Sequence, residues 1–567
     1  MKNQGKPEIL SPCGSPEVLG AAIAAGADAV YLGGTLLNAR MNAHNFDRPA
    51  LSRAIDECHQ NGVRVYVTLN TLVGDRYMRD ALNFAEFLYN EGADALIVAD
   101  LGLASLLNRY LPGMRLHAST QLSGHNSEAG KFLSERGFSR MVCARELSKE
   151  NVALLCENSP IETELFVHGA LCVCHSGQCL FSSLVGGRSG NRGECAQPCR
   201  LPYNSRYPLS LRDNCLAGHV EEILSLGVSC LKIEGRMKGA DYVYSAVRTY
   251  RTLIDEGRNA TPEEIAALSR VFSRSGFTDG YFTNNLSPTM LGVRTEENKT
   301  ESSRSNVRIE RVEREISPIV TEKHDEHIPK EASNMFRSGK KAAPTRSARF
   351  YIPENIPDGD FFDIVYLPLD RFTKGKANGV ILPPVITDRE IPQIRKKLEK
   401  AKADGAVHAL VGNVGHISLA REAGFVLHGD FRLNVESSHS MAALEDIFED
   451  IIVSPELTAP QIRDIPGKKS VIVYGRVPLM LLEKRVGTEL LRDRRGVNFP
   501  VINEGGRDII LNSVPLYMAD RYDVLDSCGA VNEHYIFTCE KKHETEALVY
   551  SYKRHLATKK EVTRIKK

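Results

Sequence analysis

Short apolar runs rich in Val, Ile and Leu recur along the first half of the chain, and stretches with helical apolar spacing separate them. Several of these stretches close on a glycine, as helix C-termini often do: 16–26, 51–62, 77–92 and 127–137. Strands that alternate with helices in this way predict βα units around a parallel sheet. The runs that we interpret as strands are 8–10, 29–33, 64–70, 95–100, 115–120, 140–145, 163–168 and 230–234.

Eight such units predict an α/β protein whose residues 1–258 form a (β/α)8 TIM-like barrel. A doubly wound sheet is the alternative interpretation of the same alternation. However, Gly-x-Gly-x-x-Gly follows none of the predicted strands, so the dinucleotide-binding signature of that fold is missing. We therefore favour the barrel.

The pattern of the first half returns in the second half at offsets of 306 to 314 residues. This repetition predicts a second, degenerate barrel-like half over 348–567, reached through an extension (259–300) and a charged linker (301–347). General similarity between βα units is the alternative explanation. The matching pairs are 95–100 with 409–413, 116–118 with 427–429, 146–148 with 456–458, and 166–169 with 472–475.

Composition and charge narrow the class of protein. The 567 residues exceed one usual domain, and 42% hydrophobic with 25% charged residues is ordinary for a folded soluble protein. Lys plus Arg number 72 against 71 Asp plus Glu, so a polyanionic partner must be held by local basic patches. Neither a signal-like apolar run nor a stretch of about 18 apolar residues is found. We expect a cytoplasmic protein without a membrane partner.

Cysteines carry the strongest chemical signal. Seven of the 13 cysteines lie between Cys172 and Cys230, and the next one along the chain is Cys528. A reducing compartment makes disulfides a poor explanation for this clustering. Gly, Ser, Pro and Arg surround the thiols in residues 168–200, which suits a loop that wraps a metal. Arg192 and Arg200 are placed to lower thiol pKa values.

Three interpretations compete for this cluster: incidental free thiols, a structural zinc site and an iron–sulfur cluster. Cys195 and Cys199 are close enough for a zinc pair, but six residues separate Cys172 from Cys179, which is wide for a zinc knuckle. An iron–sulfur cluster tolerates irregular spacing because it is larger than one ion. We favour the cluster, with these ligands: Cys172, Cys179, Cys195 and Cys199, with Cys215 in reserve and Cys174 as a bystander.

Residues at the C-terminal strand ends are the catalytic candidates, because barrel enzymes work at that face. A lone Asn or Asp there is about as often a helix cap, and His168 fits a hydrogen-bonded rim residue equally well. Arg145 and Arg236 are stronger candidates, since a guanidinium grips carboxylate or phosphate with two hydrogen bonds. The full set of candidates is Asn70, Asp100, Ser119, Gln121, Arg145, Glu146, His168, Glu234 and Arg236.

Several motifs occur in a fixed order: the run from His168 to Cys172, Ser176-Gly-x-Cys179, the run from Asn191 to Arg200, and the run from Leu231 to Lys238. Together with the opening Ser-Pro-x-Gly and a Ser-x-Gln, this set resembles the collagenase-like U-thirty-two peptidase family. Despite that name, the resemblance implies bacterial RNA hydroxylases and hydroxylation factors that carry an iron–sulfur cluster, of the 4Fe–4S type, on a barrel. It also implies prephenate as a required metabolite.

The resemblance therefore predicts an enzyme that forms a 5-hydroxypyrimidine in RNA. The chain resembles the longer, rRNA-modifying branch of this family, so the favoured product is 5-hydroxycytidine in 23S rRNA or its precursor. The alternative product is 5-hydroxyuridine at the tRNA wobble position. We expect His168 and Glu234 to move protons, and Arg145 to hold a small carboxylate metabolite or an RNA phosphate. The substrate-binding candidates are Asn70, Ser119, Gln121, Arg236, Lys238 and Arg200.

Two further classes stay open, a peptidase and a noncatalytic RNA-binding factor with a structural cluster. The sequence contains no His-Glu-x-x-His motif, and many clustered cysteines fit a single-thiol protease poorly. The cysteine-poor second half is expected to serve as scaffold or RNA grip. Candidate basic clusters for that grip are Arg188, Arg192 and Arg200; Lys340, Lys341, Arg346 and Arg349; and Lys559, Lys560, Arg564, Lys566 and Lys567.

Overall fold

The computed structural model describes residues 5–35, 37–40, 44–303, 307–334 and 344–566. Within these ranges the first half closes into a barrel of eight parallel strands, which confirms the predicted fold class. The short strand β8 pairs antiparallel with β7, and β10 pairs with β8. The strands are β1 (Glu8–Pro12), β2 (Ala29–Gly33), β3 (Arg64–Leu69), β4 (Ala95–Val98), β5 (Leu116–Ala118), β6 (Phe138–Val142), β7 (Glu162–Gly169), β8 (Asp213–Cys215), β9 (Cys230–Ile233) and β10 (Phe277–Thr278).

Helices cover the outside of this barrel, and several begin at a side chain that accepts a hydrogen bond from the backbone of the first turn. Ser15, Asp47, Asp100 and Asn126 are such caps. The four helices predicted from apolar spacing are all present. The helices are α1 (Pro16–Ala25), α2 (Arg48–Gln60), α3 (Asp75–Asn90), α4 (Leu101–Tyr110), α5 (Ser127–Glu135), α6 (Lys149–Asn158), α7 (Phe181–Gly186), α8 (Val220–Ser225), α9 (Ala240–Glu256), α10 (Pro262–Val271) and α11 (Glu296–Ser303).

The second half closes into a second barrel of eight parallel strands in the part of the chain that the structure describes. This barrel is complete, so the repeat is degenerate in sequence and not in strand number. It begins at Thr345, just before the predicted boundary. Its strands are β11 (Thr345–Phe350), β12 (Ile364–Pro368), β13 (Gly379–Ile381), β14 (His408–Val411), β15 (Val426–Gly429), β16 (Ile451–Ile452), β17 (Lys469–Gly475) and β23 (Asn532–Phe537).

Between β17 and β23 the chain forms an antiparallel sheet, which we call the insertion sheet: β18 (Pro478–Leu482), β19 (Leu490–Arg492), β20 (Asn498–Glu504) and β21 (Arg507–Leu511). The strand β22 (Leu516–Tyr517) then pairs antiparallel with β17. The insertion sheet follows the seventh strand of its barrel, which is where the cysteine-rich loop leaves the first barrel. The helices of this half are α12 (Ile391–Ala403), α13 (Ile417–Glu422), α14 (Ser438–Ala442), α15 (Ala459–Asp464), α16 (Tyr522–Cys528) and α17 (Lys542–Lys553).

The two barrels pack against each other through reciprocal helix caps. Asp388 of the second barrel accepts hydrogen bonds from the backbone N and Oγ of Ser127, the first residue of α5, at 3.0 and 2.6 Å. Asp75 of the first barrel does the same for Ser438, the first residue of α14, at 2.9 and 2.6 Å. Carboxylates at helix N-termini are stabilising because they meet unpaired N–H groups and the positive end of the helix dipole.

Part of the predicted linker packs against the first barrel. Residues 307–334 run along the outer helices of the first barrel: Tyr244 Oη donates to Glu310 O at 2.9 Å, Ile319 N donates to His59 O at 2.8 Å, and Arg79 donates to Pro329 O at 2.8 Å. None of the described helices is both long and apolar enough to span a bilayer.

Candidate functional site

A cavity of about 440 Å³ lies over the C-terminal ends of the first barrel's strands, beneath the cysteine segment, residues 168–200. We call it the thiol cavity. Its volume is in the range of small-molecule sites. Of the predicted site residues, four are not on its wall: Asp100, Glu146, His168 and Cys215. The wall includes Asn70, Ser119, Gln121, Arg145, Cys172, Cys179, Cys195, Cys199, Arg200, Glu234, Arg236 and Lys238.

Four thiols reach the thiol cavity from the two ends of the cysteine segment. Cys172 and Cys195 are exposed, whereas Cys179 and Cys199 are half-buried. Desolvation raises the pKa of Cys172, Cys195 and Cys199, and a hydrogen bond with the Cys174 thiol is the main cause of the raised pKa of Cys179. Without a metal the four sulfurs are therefore neutral thiols at neutral pH.

The arginines near the thiols lower the thiol pKa values less than the sequence predicts. Desolvation dominates the pKa of Cys172, which Arg145 lowers in part, and the pKa of Cys199, which Arg200 lowers in part. Arg192 instead donates to Glu436 of the second barrel at 2.8 and 2.9 Å. Arg200 thus lowers the pKa of Cys199 as expected, but burial outweighs it, whereas the Arg192 guanidinium is paired with Glu436.

The cysteine segment is held in its conformation by backbone contacts. Gly177 has a φ of +75°, and a Cβ there would lie 2.1 Å from the carbonyl oxygen of Gln121, so only glycine fits. The Arg200 guanidinium donates to Leu171 O at 2.9 Å and to Ser210 Oγ at 3.1 Å. Arg200 therefore fixes the two ends of the segment and has little capacity left for a substrate phosphate.

The insertion sheet of the second barrel supports the cysteine segment directly. His175 N donates to Leu481 O and Leu180 N donates to Leu479 O, both at 2.8 Å, so the segment pairs along β18. Met480 reaches through to line the thiol cavity. The second barrel lacks the cysteine cluster of the first, but it completes the wall around those thiols.

Charged groups lie on the opposite side of the thiol cavity. Glu234, after β9, accepts from Arg40 at 3.1 Å and lies 3.7 Å from Arg145. Burial alone raises the pKa of Glu234, but the two guanidinium groups outweigh it and lower the pKa overall. Arg145 stacks over Phe166, 4.2 Å from the ring centroid, and its buried Nε has no hydrogen-bond partner among the described residues. Arg145 is therefore available to an anionic ligand.

Arg236 is held more tightly than Arg145. Its guanidinium donates to Thr68 Oγ1 at 2.7 Å and to Asn38 Oδ1 at 2.5 Å, and it is almost fully buried. Burial lowers the pKa of Arg236 to about 10. These two donors bind β3 and the loop after β2, but the buried Nε of Arg236 has no hydrogen-bond partner among the described residues. Its role in gripping a substrate anion therefore stays a prediction.

Lys238 lies at the edge of the thiol cavity, with its Nζ over the Phe272 ring. Burial lowers the pKa of Lys238 to about 7, although Asp213 acts in the opposite direction. Its charge therefore changes within the physiological pH range.

Asn70 and Ser119 position their neighbours. Asn70 Oδ1 accepts from Ala39 N at 3.0 Å and so orients the loop that carries Arg40. Ser119 Oγ accepts from Gln121 N at 3.3 Å. Arg40 was missed in the sequence, although it follows β2 at the same face as the predicted candidates.

His168 and Cys215 pair with each other across β7 and β8, away from the thiol cavity. His168 is buried among the rings of Tyr242, Tyr250 and Phe277, and its Nδ1 has no hydrogen-bond partner in the described ranges. Burial lowers the pKa of His168 to about 4. The structure thus gives no support to His168 as a proton carrier or to Cys215 as the reserve ligand.

Most of the predicted basic clusters are engaged in the fold. Arg346 and Arg349 belong to β11 and not to a linker, and Arg349 is buried against Asp430. Arg564 pairs with Asp520. Lys340, Lys341 and Lys567 lie outside the described residues. An exposed basic rim does flank the cysteine segment, with contributions from that segment, the loop after it and the insertion sheet: Arg188, Arg206, Arg492, Arg494 and Arg495.

Fold and site together define a double TIM-barrel protein with a thiol-lined cavity at the mouth of its first barrel. Residues 14–291 match the model of peptidase family U32. The chain is also 36% identical over 309 residues to a collagenase from Porphyromonas gingivalis, covering 48% of this chain and 73% of that protein. The protein belongs to peptidase family U32.

Other relatives have names that refer to RNA. The chain is 38% identical over 293 residues to the 23S rRNA 5-hydroxycytidine C2501 synthase of Escherichia coli, covering 50% of this chain and 43% of the synthase. It is 34% identical over 267 residues to tRNA hydroxylation protein P1 of Bacillus subtilis, covering 44% of this chain and 63% of that protein. The similarity to the synthase thus spans less than half of that relative's length.

Proposed function

We propose that this protein is an iron–sulfur-dependent RNA hydroxylase that forms a 5-hydroxypyrimidine. The leading product is 5-hydroxycytidine in 23S rRNA, and 5-hydroxyuridine in tRNA is the alternative. The observation that carries the proposal is the convergence of four thiols and the Arg145 guanidinium on one cavity at the mouth of the barrel. Relatives named for rRNA and tRNA hydroxylation support the reaction class.

The donor set fits an iron–sulfur cluster better than one zinc ion. Among the described residues, no three of the four sulfurs lie within 4.8 Å of one another. Thiolates on one tetrahedral zinc ion are only about 3.8 Å apart, given zinc–sulfur bonds of about 2.3 Å. Four soft thiolates spread around a wider space suit a multi-iron centre held by Cys172, Cys179, Cys195 and Cys199. When bound, such a centre supplies or accepts electrons for the oxidation of the substrate.

The surroundings of the thiol cavity suit a single nucleotide. Chemistry on a pyrimidine ring requires a base that is unstacked, from a single strand or flipped out of a helix. The exposed basic rim at Arg188, Arg206 and Arg492 can bind the phosphates of such a strand. Tyr207, 43% exposed beside Arg206, offers a ring on which a neighbouring base can stack.

The same cavity can also hold the small carboxylate metabolite, for which prephenate is the candidate. Arg145 offers an unpaired Nε within the wall, and Lys238 adds a second positive charge when protonated. Glu234, ionised between Arg40 and Arg145, is the group placed to hold or release a proton there.

Binding of prephenate is expected to weaken about tenfold between about pH 6 and pH 8, because Lys238 loses its proton as the pH rises through its pKa. Isothermal titration calorimetry on the full-length protein measures this. In the Lys238→Arg variant the charge persists at all these pH values, so affinity should stay nearly constant. An equal loss of affinity in the arginine variant would show that another group is responsible.

The test of function is mass spectrometry of nucleosides from a bacterial strain that lacks its own RNA hydroxylases and expresses this chain. We expect cytidine in 23S rRNA to gain one oxygen atom. A gain in tRNA uridine instead would select the alternative product. No modified nucleoside in either RNA, together with cleavage of collagen peptides, would overturn the proposal in favour of a peptidase. RNA binding without either reaction would favour a noncatalytic RNA-binding factor.

A further inference from the structure

A second cluster of possible metal ligands lies beside the thiol cavity and contains no cysteine. His125 Nε2 is 3.0 Å from Glu146 Oε1, His175 Nδ1 is 2.7 Å from the same oxygen, and the two ring nitrogens are 3.1 Å apart. All three side chains are buried. They come from three separate segments: the turn before α5, the loop after β6 and the cysteine segment.

Hydrogen bonds account for this triangle only if both rings donate to one carboxylate oxygen that also accepts from Ser176 N at 3.1 Å. A ring nitrogen either carries a proton or offers one lone pair, and an ionised carboxylate only accepts. If both histidines donate to Glu146, the two N–H groups converge on one oxygen with their nitrogens only 3.1 Å apart. If only one donates, the other nitrogen turns a lone pair towards the carboxylate oxygen. A cation between the three atoms satisfies all of them at once.

The separations match those of ligands on one metal ion. With bonds of about 2.1 Å, neighbouring ligands are about 3.0 Å apart at right angles and about 3.4 Å apart at tetrahedral angles. The observed 2.7 to 3.1 Å lies close to the first value. Two imidazoles and one carboxylate are a ligand set typical of divalent zinc, iron and manganese.

The outer contacts prepare His175 to act as a ligand. Its other nitrogen, Nε2, lies 3.0 Å from Glu483 Oε2, and Arg507 donates to that same oxygen at 2.7 Å. Glu483 accepts the Nε2–H of His175, so a cation that takes the place of the Nδ1 proton would meet a lone pair on the nitrogen that faces Glu146. Glu483 follows β18, so the second barrel supplies this support.

We propose that His125, Glu146 and His175 bind one divalent first-row transition metal ion, separate from the four-cysteine site. Because His175 lies between Cys174 and Cys179, the ion would tie the cysteine segment to the first barrel, while Glu483 holds it to the second. This proposal does not rest on the RNA hydroxylase function, because it uses none of the thiols.

The test is titration of the chelator-treated full-length protein with Co²⁺, followed by absorption and equilibrium dialysis. Nitrogen and oxygen ligands give Co²⁺ only weak visible bands, whereas thiolates add intense charge-transfer absorption in the near ultraviolet. We expect wild-type protein and the Cys179→Ser variant both to bind one Co²⁺ with the weak bands. Glu146→Gln should lower that affinity at least about 100-fold, and Glu483→Gln by about 10- to 100-fold.

Glu146→Gln keeps the shape of the side chain, and circular dichroism checks that the variant folds. Addition of Co²⁺ should also raise the Tm of wild-type and Cys179→Ser protein but not of folded Glu146→Gln protein. If wild-type protein binds no Co²⁺ outside its thiols, or if Glu146→Gln binds it equally well, the three residues are only a hydrogen-bonded ion cluster and the proposal is wrong.

Discussion

The Cys179→Ser variant is expected to lose its iron and to lower RNA hydroxylation at least about 100-fold. Cys179 lines the thiol cavity with the three other proposed ligands and Cys174, and serine is a poor ligand for iron. Anaerobic purification followed by iron and sulfide quantitation measures the first effect, with about four irons per chain expected in wild-type protein. Nucleoside mass spectrometry measures the second.

Cys215→Ser is the matched control. Cys215 is the reserve ligand predicted from the sequence, but it lies in β8 against His168, outside the thiol cavity. We expect this variant to keep its iron and its activity. Loss of iron in Cys215→Ser with retention in Cys179→Ser would reverse the ligand assignment. Zinc alone in well-folded wild-type protein would remove the iron–sulfur cluster from the proposed function.

Phe499→Ala should destabilise the protein by about 3–5 kcal/mol and also lower its iron content, although Phe499 is not a ligand of the proposed cluster. Phe499 belongs to the insertion sheet and is buried against Phe181 of the cysteine segment, with ring centroids 5.0 Å apart. The cavity left by alanine would loosen the segment between Cys179 and Cys195. Chemical denaturation and iron quantitation measure the two effects.

Phe350→Ala is the control for this variant. Phe350 is equally buried, but it stacks on Phe537 between two strands of the second barrel and not on the cysteine segment. We expect a similar loss of stability with the iron content unchanged in the folded protein. If Phe499→Ala also keeps a full complement of iron, the insertion sheet does not organise the thiols.

The barrel and most of the site could be predicted because both depend on local pattern. Strand ends mark the catalytic face of a barrel, so Arg145 and Glu234 were predictable from their positions alone. The thiols were predictable because cysteine clusters are rare. Met480 and the pairing of His175 with Glu483 were not, because residues some 300 positions apart meet only once both barrels have folded.

The roles of single residues were harder to predict than their positions. Arg236 lines the thiol cavity as expected, yet Thr68 and Asn38 already bind its two terminal nitrogens. His168 lies at the end of β7 as expected, yet its ring faces Tyr250 and Phe277. The position of a residue along its strand predicts at which end of the barrel its side chain lies. It does not predict the hydrogen-bond partners, because these come from other strands and loops.

The reciprocal caps have a consequence for the origin of the chain. Asp388 meets Ser127 in the same way that Asp75 meets Ser438, which is the self-complementary contact of an isologous dimer with an approximate two-fold axis. Such a contact is what fusion of two copies of a one-barrel homodimer produces. After such a fusion only one barrel has to keep the cysteines. The sequence of the other barrel can then change, provided that it still supports the cysteine segment.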